Sequence, residues 1–366
     1  MLLASGIGGR ADVLYVSSYG TDEVLRFDPL TGAYLDTFVA ASAGTGLSLP
    51  HGILDRGTDV LVTSAGNDRV LRFDRASGSL LGEFIGAGSG IDYPVAMLEG
   101  PDGDLYVSSQ LSDEVLRFDM ATGALLGAFV TAGSGGLDGP SGLAFGPDGR
   151  LYVASRFSGA VLAYDGVTGA FDEVIADAND GLGAGVTFGL AFGGNGDLYF
   201  ASSGAVFRYE LATQSLVASP ATGLPIGVET DPHNPVGGVI VTTGDNLRRM
   251  DGVTNALSAP LLGPGATINT LNFFHYSRFV TVDLPGDFNA DGVVDAADYT
   301  TWSDALADGG ELANDPTPGV SANDYETWAD NYGAILSPAA LAVIVPEPLS
   351  ATTLLFLLCG LVAPRR

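Results

Sequence analysis

Six oxygen donors are crowded into twelve residues: Asp287, Asn289, Asp291, Asp295 and Asp298 supply side-chain oxygens, and Val293 supplies a backbone carbonyl. Counted from Asp287 they occupy places 1, 3, 5, 9, 12 and 7, with Gly292 at 6 for the sharp turn and Val294 at 8. That is the spacing of a calcium loop, with Asp where the last ligand is usually Glu. Hard oxygen donors suit a hard divalent cation. Four of the five side chains are carboxylates, which repel one another until an ion sits among them. One Ca2+ is therefore expected, held by Asp287, Asn289, Asp291, Val293, Asp295 and Asp298, and it should order the segment that follows.

That segment must be a helix. Asp298-Tyr299-Thr300-Thr301-Trp302-Ser303-Asp304 recurs 26 residues on as Asp324-Tyr325-Glu326-Thr327-Trp328-Ala329-Asp330, and the pair contains both tryptophans of the chain. Tyr299, Trp302 and Leu306, like Tyr325, Trp328 and Tyr332, fall on one helical face, so two aromatic stripes should pack on each other. A calcium loop feeding a helix, duplicated within residues 285–334, resembles a type I dockerin. The resemblance implies a small α-helical calcium-binding domain and a cohesin-like partner. Two departures stand out: the second loop, Asn314 to Asn323, has lost the carboxylates at places 1, 3 and 5, and places 10 and 11 of the first are Ala296 and Ala297.

Upstream, the chain is repetitive. Copies beginning at Leu14, Val60, Leu105, Leu151, Leu198 and Val239 follow one another at about 41 to 47 residues, the length of a four-stranded propeller blade. Each copy reads as strands separated by turn residues. An apolar segment such as Ser141 to Phe145 meets the tight turn Pro147-Asp148-Gly149, and an Asp-x-x-Thr-Gly turn ends in Gly32, Gly123 or Gly169, with Gly78 as the counterpart in the second copy. Those glycines are expected at positive φ. The expectation is an all-β, six-bladed propeller over residues 12–284. The first copy lacks its inner strand, so Ile268 to Phe274 are expected to supply it and close the ring. The unassigned stretch Phe279 to Val282 leaves a seventh, partial blade open. The pattern resembles NHL-repeat propellers and the related gluconolactonase-like and virginiamycin B lyase-like propellers.

Enzymes of these resembling families place residues at the channel mouth, around a divalent ion. The equivalent inner-strand positions here are His51, Val95, Ser141, Phe188 and Ile226. Pro50-His51-Gly52-Ile53 resembles a motif of the lyase-like propellers, which use mouth histidine and glutamate with a metal, but it occurs in one copy. His233 lies in a proline-rich turn and His275 beside Phe273-Phe274, so neither is expected to be a ligand. The recurrent arginines Arg26, Arg72, Arg117 and Arg208 are expected to be structural, their stems packed between blades and their heads paired with turn carboxylates such as Asp22, Asp68 or Asp113.

Composition sets the outer limits. Among 366 residues, 43 Asp and Glu stand against 15 cations, all arginine, for a net charge of −28. Nucleic acid is excluded as an expected partner by that field, and lysine-based chemistry by the absence of the residue. A lone cysteine, Cys359, says nothing of the redox compartment.

Residues 335–345 read as a linker. In residues 346–366, Pro346-Glu347-Pro348, an apolar run from Leu354 to Ala363 and the closing Arg365-Arg366 resemble a PEP-CTERM sorting signal. The resemblance implies export to the cell envelope or extracellular surface, an exosortase-type sorting enzyme, and transient membrane association through residues 349–366. Residues 1–11 read as a leader remnant, with the true start and a basic, apolar leader expected upstream of Met1. The expected function is an exported, surface-sorted, non-catalytic binding or scaffold protein whose propeller binds a carbohydrate, a small molecule or a protein. The alternative is an exported propeller lyase or lactonase acting on a carbohydrate or lactone.

Overall fold

The computed structural model describes residues 12–41, 44–182, 187–202, 204–219, 225–232, 234, 237–243, 246–261, 277–281, 288, 294, 296–308 and 322–332. Turn chemistry cuts the chain into short antiparallel strands, and these assemble into six sheets, one per sequence repeat. In blade three the order from the channel outward is Pro94–Glu99, Leu105–Ser109, Glu114–Phe118 and Leu125–Val130. The second strand of this blade is fully buried, because a propeller blade presses both of its faces on neighbours. The outer strand is half-exposed and bulged. The bulge twists its free edge out of the flat geometry that invites pairing with another chain.

The core is divided among the seams between blades. Leu54, Leu61 and Ile85 of blade two meet Met97, Val107 and Phe118 of blade three. Leu143, Leu151 and Tyr164 of blade four meet Tyr106 and Val130 of blade three. Blade one closes on blade six through Leu14, Val16 and Phe27 against Ile240 and Leu247. Each such side chain contributes about 1.5–3 kcal/mol when withdrawn from water.

Ring closure takes the expected form with a different strand. Blade one is completed by Ser277–Thr281, which pairs beside Asp12–Ser18. The stretch around Phe279, unassigned in the sequence, is therefore the closing strand and not a seventh blade. Ile268 to Phe274, assigned that role from their position after the last repeat, lie outside the described residues. Periodicity counts blades, but it does not say which of two nearby apolar runs pairs with the first strand.

Two α-helices follow, α1 (Ala296–Asp308) and α2 (Ala322–Asn331). Tyr299 lies 5.3 Å from Trp328 between ring centroids, and Trp302 lies 5.6 Å from Tyr325, so the aromatic stripes meet. Phe288 and Val294 bury themselves against Trp328 in the same small core. Leu306 stays exposed, since these ring contacts reach no farther along α1 than Trp302. Among the described residues, no helix is long and apolar enough to cross a membrane, and the apolar run of residues 354–363 lies outside them.

The turn glycines are required twice over. Gly123 has φ +72°, and a Cβ there would lie 2.1 Å from the Phe84 carbonyl oxygen of the preceding blade. Gly103 has a similar φ of +83° with open space around it. Gly103→Ala should therefore cost only the left-handed backbone penalty, about 1–2 kcal/mol. Gly123→Ala must also push neighbouring blades apart, and urea unfolding should show a loss at least about 2 kcal/mol larger. Equal midpoints for the two variants would contradict this account of the seams.

Candidate functional site

The inner strands of blades two to six each carry a bulge. Pairing with the second strand shifts register between Pro50 and Ile53, Pro94 and Met97, Pro140 and Leu143, Thr187 and Leu190, and Pro225 and Val228. The bulge frees a backbone N–H near the channel, and in three of these blades a hydroxyl from the second strand accepts it. Gly52 N donates to Thr63 Oγ1 at 2.7 Å, Ala96 N to Ser108 Oγ at 2.8 Å, and Gly227 N to Thr242 Oγ1 at 2.7 Å. Two of these hydroxyls donate onward to the next blade: Thr63 to the Val95 carbonyl at 3.1 Å and Ser108 to the Ser141 carbonyl at 2.8 Å. Ser17 donates likewise to the carbonyl of His51.

A carboxylate fixes the loop just before each of three inner strands. Asp22 accepts from Leu49 N at 2.7 Å, Asp68 from Tyr93 N at 2.9 Å, and Asp113 from Gly139 N at 2.7 Å. This corrects the pairing expected for these acids. Arg26 instead meets Asp36, Arg117 meets Asp102 and Asp104, Arg208 meets Asp197 and Glu210, and Arg72 lies 3.8 Å from Asp59. Strand geometry explains the difference. Four residues of extended chain separate Asp22 from Arg26, about 13 Å at ~3.3 Å per residue, so the two sit at opposite ends of the blade.

These devices position one mouth of the channel. In blades two to four, two positions meet at this end: the residue before the inner-strand proline, and the residue after the second strand. Backbone hydrogen bonds join them, from Ala65 to Leu49, Gln110 to Tyr93, and Arg156 to Gly139, at 3.3, 3.2 and 2.9 Å. The surrounding repeat is nearly constant, yet these positions vary as Leu49 and Ala65, Tyr93 and Gln110, Gly139 and Arg156, with Tyr19 in blade one. The side chains form an arc across four blades. Tyr19 and Tyr93 share a hydroxyl hydrogen bond at 3.2 Å, and Arg156 Nη1 donates to Gln110 Oε1 at 3.0 Å.

His51 lies beneath the arc. Its ring is 5.1 Å from Tyr19 and 5.7 Å from Tyr93, and the residue is 1% exposed. The equivalent Val95, Ser141 and Ile226 are buried as well, and the side chain of Phe188 is outside the described residues. Burial, reinforced by the hydrogen bond with Tyr19, holds the Tyr93 phenol well above the usual tyrosine range, so it stays a neutral donor and acceptor. Tyr93 and Leu49 have φ of +55° and +49°, where blade four places Gly139 at +66°.

Farther along the inner strands lies a cavity of about 220 Å³. Among the described residues it is lined by apolar side chains and backbone together with Thr230 and one charged residue, Glu229. Thr230 there donates to the Phe192 carbonyl at 2.8 Å. Among the described residues, no three His, Cys, Asp or Glu gather as a metal-binding group. Of the six donor positions of the calcium loop only Asp298 is described; Asp287, Asn289, Asp291, Val293 and Asp295 lie outside, as do His233 and His275. Asp298 and its counterpart Asp324 are fully buried in the first turns of α1 and α2. Sequence reasoning singled out His51 and missed the tyrosines, Gln110 and Arg156. Aligning the repeats and reading the positions that vary would have found them.

The fold is similar to that of a chain in the nidogen/laminin complex, with a TM-score of 0.59 and 15% identity, over 73% of this chain and 98% of that one. It is also similar to a catalytically inactive virginiamycin B lyase from Staphylococcus aureus solved with quinupristin, with a TM-score of 0.50 and 13% identity, over 70% of this chain and 86% of that one. At such identities the likeness establishes a β-propeller and nothing narrower. No protein-family model and no curated protein matches the chain.

The carboxylate staples can be tested directly. Asp68→Ala leaves the Tyr93 N–H without its charged acceptor and should cost about 1.5–3 kcal/mol in urea unfolding. Asp68→Asn keeps an acceptor and tolerates the φ of +56° found at this residue, so it should lose less than half as much. No loss in Asp68→Ala would show that the staple carries no energy.

Proposed function

We propose that the chain is an exported, surface-sorted binding or scaffold protein, with the propeller as its recognition module and the dockerin-like unit as a calcium-stabilised attachment module. The observation that carries the reading is the mouth arc. Six repeats keep the residues that build blades, while the positions around one channel mouth vary, and those of blades one, three and four include tyrosine, glutamine and arginine, side chains rich in contact area and hydrogen-bonding capacity. The partner is a carbohydrate, a small molecule or a protein.

For the attachment module, support comes from the loop spacing, from the buried Phe288 and Val294, which are interleaved with the donor positions, and from the burial of the donor Asp298. Asp287, Asn289, Asp291, Asp295, Asp298 and the Val293 carbonyl would hold Ca2+, which supplies charge neutralisation and loop order there. A cohesin-like domain is the proposed partner of this unit. Export, envelope location and processing by an exosortase-type enzyme rest on the order of residues 346–366.

The second reading, an exported lyase or lactonase, draws on His51 at the mouth. Turnover of a lactone that is abolished by His51→Ala would replace the first reading with it.

Two measurements test the proposal. Calorimetry on the full chain should show one Ca2+ site, lost in Asp291→Ala; two sites, or none, would count against the loop. Fractionation of native cells should place the protein in the envelope or medium without its C-terminal tail, and deletion of residues 346–366 should change that distribution. Intact protein confined to the cytosol would overturn export.

A further inference from the structure

We propose that the arc of Tyr19, Tyr93 and Arg156, the last positioned by the buried Gln110, binds an uncharged saccharide ring, a proposal that rests on the reading of the propeller as a recognition module. Three observations bear on it, beginning with the backbone. Residues at positive φ other than glycine are costly, and the position before the inner-strand proline is left-handed in blades two, three and four. Blade four fills it with Gly139, the residue the conformation favours; blade three fills it with Tyr93 at +55°. A bulky aromatic group is thus held at the mouth against its own backbone preference, with Asp68 bonded to its N–H at 2.9 Å to keep it there.

The second observation is the pairing of chemistries. The Tyr19 and Tyr93 rings, both half-buried, share a hydroxyl hydrogen bond over the inner strand of blade two, and His51 packs beneath them. Beside them, Arg156 is bonded to the Gln110 amide, which is 2% exposed, and its guanidinium lies 5.5 Å over the Phe157 ring. A pyranose presents an apolar C–H face and an equatorial fringe of hydroxyls. Phenol rings match the first, and two phenolic hydroxyls and a planar guanidinium, held in place by the buried Gln110, match the second.

The third is charge. The chain carries −28 overall, a field that repels a polyanionic glycan, while the guanidinium of Arg156 disfavours a cationic ligand between the tyrosines. An uncharged ring escapes both penalties.

Isothermal titration of the full chain with cellobiose, maltose and lactose tests this, with digalacturonate as the charged comparison. At least one neutral disaccharide should bind at one site, and Tyr93→Gly and Arg156→Gln should each weaken it at least tenfold. Tyr93→Gly should do so without lowering the melting temperature, since blade four already builds this turn with glycine. Binding unchanged in both variants, or no heat from any neutral disaccharide, would overturn the proposal. Preference for digalacturonate would overturn the uncharged class while leaving the recognition module standing. Should Tyr93→Gly melt early, Arg156→Gln decides alone.

Discussion

One hydroxyl, used twice, ties this ring together. In the second strand of blades two and three a threonine or serine accepts the N–H freed by the bulge of its own inner strand and donates to the inner strand of the next blade. Without it the bulge would leave a donor unsatisfied in a buried, weakly polar interior, at a cost of about 1–3 kcal/mol. With it the inner strand can turn its first residues toward the mouth while its remainder stays paired. Blade spacing, bulge register and the placing of His51, Val95 and Ser141 all follow from this contact.

The seams and the mouth divide the labour of the repeat. Seam positions are filled with near-identical apolar residues, because each must fit a neighbour that is a copy of itself. Mouth positions meet no such copy and are free to differ. Tyrosine at a left-handed position and a glutamine buried beside an arginine are choices that blade packing does not call for. That contrast, more than any single side chain, separates the recognition surface from the scaffold.

Charge is organised on a different principle. The recurrent arginines Arg26, Arg117 and Arg208 of the third strands lie toward the far end of the blades, each drawn to a carboxylate of its own blade. Tyrosines join these clusters: Tyr106 donates to Asp102 and Tyr152 to Asp148, both at 2.8 Å. Burial works against the ionised Asp148, yet hydrogen bonds from Arg150 and Tyr152 hold its pKa below the usual range. Fifteen cations are too few to neutralise 43 acids, so the surplus negative charge remains a property of the surface.

Sequence alone determined the blade count, the positive-φ glycines at 32, 78, 123 and 169, and the pairing of two aromatic helices, because each is written in local signals: a repeat length, a turn motif, a helical stripe. It also laid down the donor spacing of residues 287–298. Tertiary structure decided which apolar run closes the ring, which acid each arginine meets, and that Asp22, Asp68 and Asp113 serve the next blade instead. It alone brought Tyr19, Tyr93, Gln110 and Arg156 together. These four come from three blades and are spread over more than a third of the chain. A pattern read along one strand cannot show that curving the sheets into a ring sets their ends side by side.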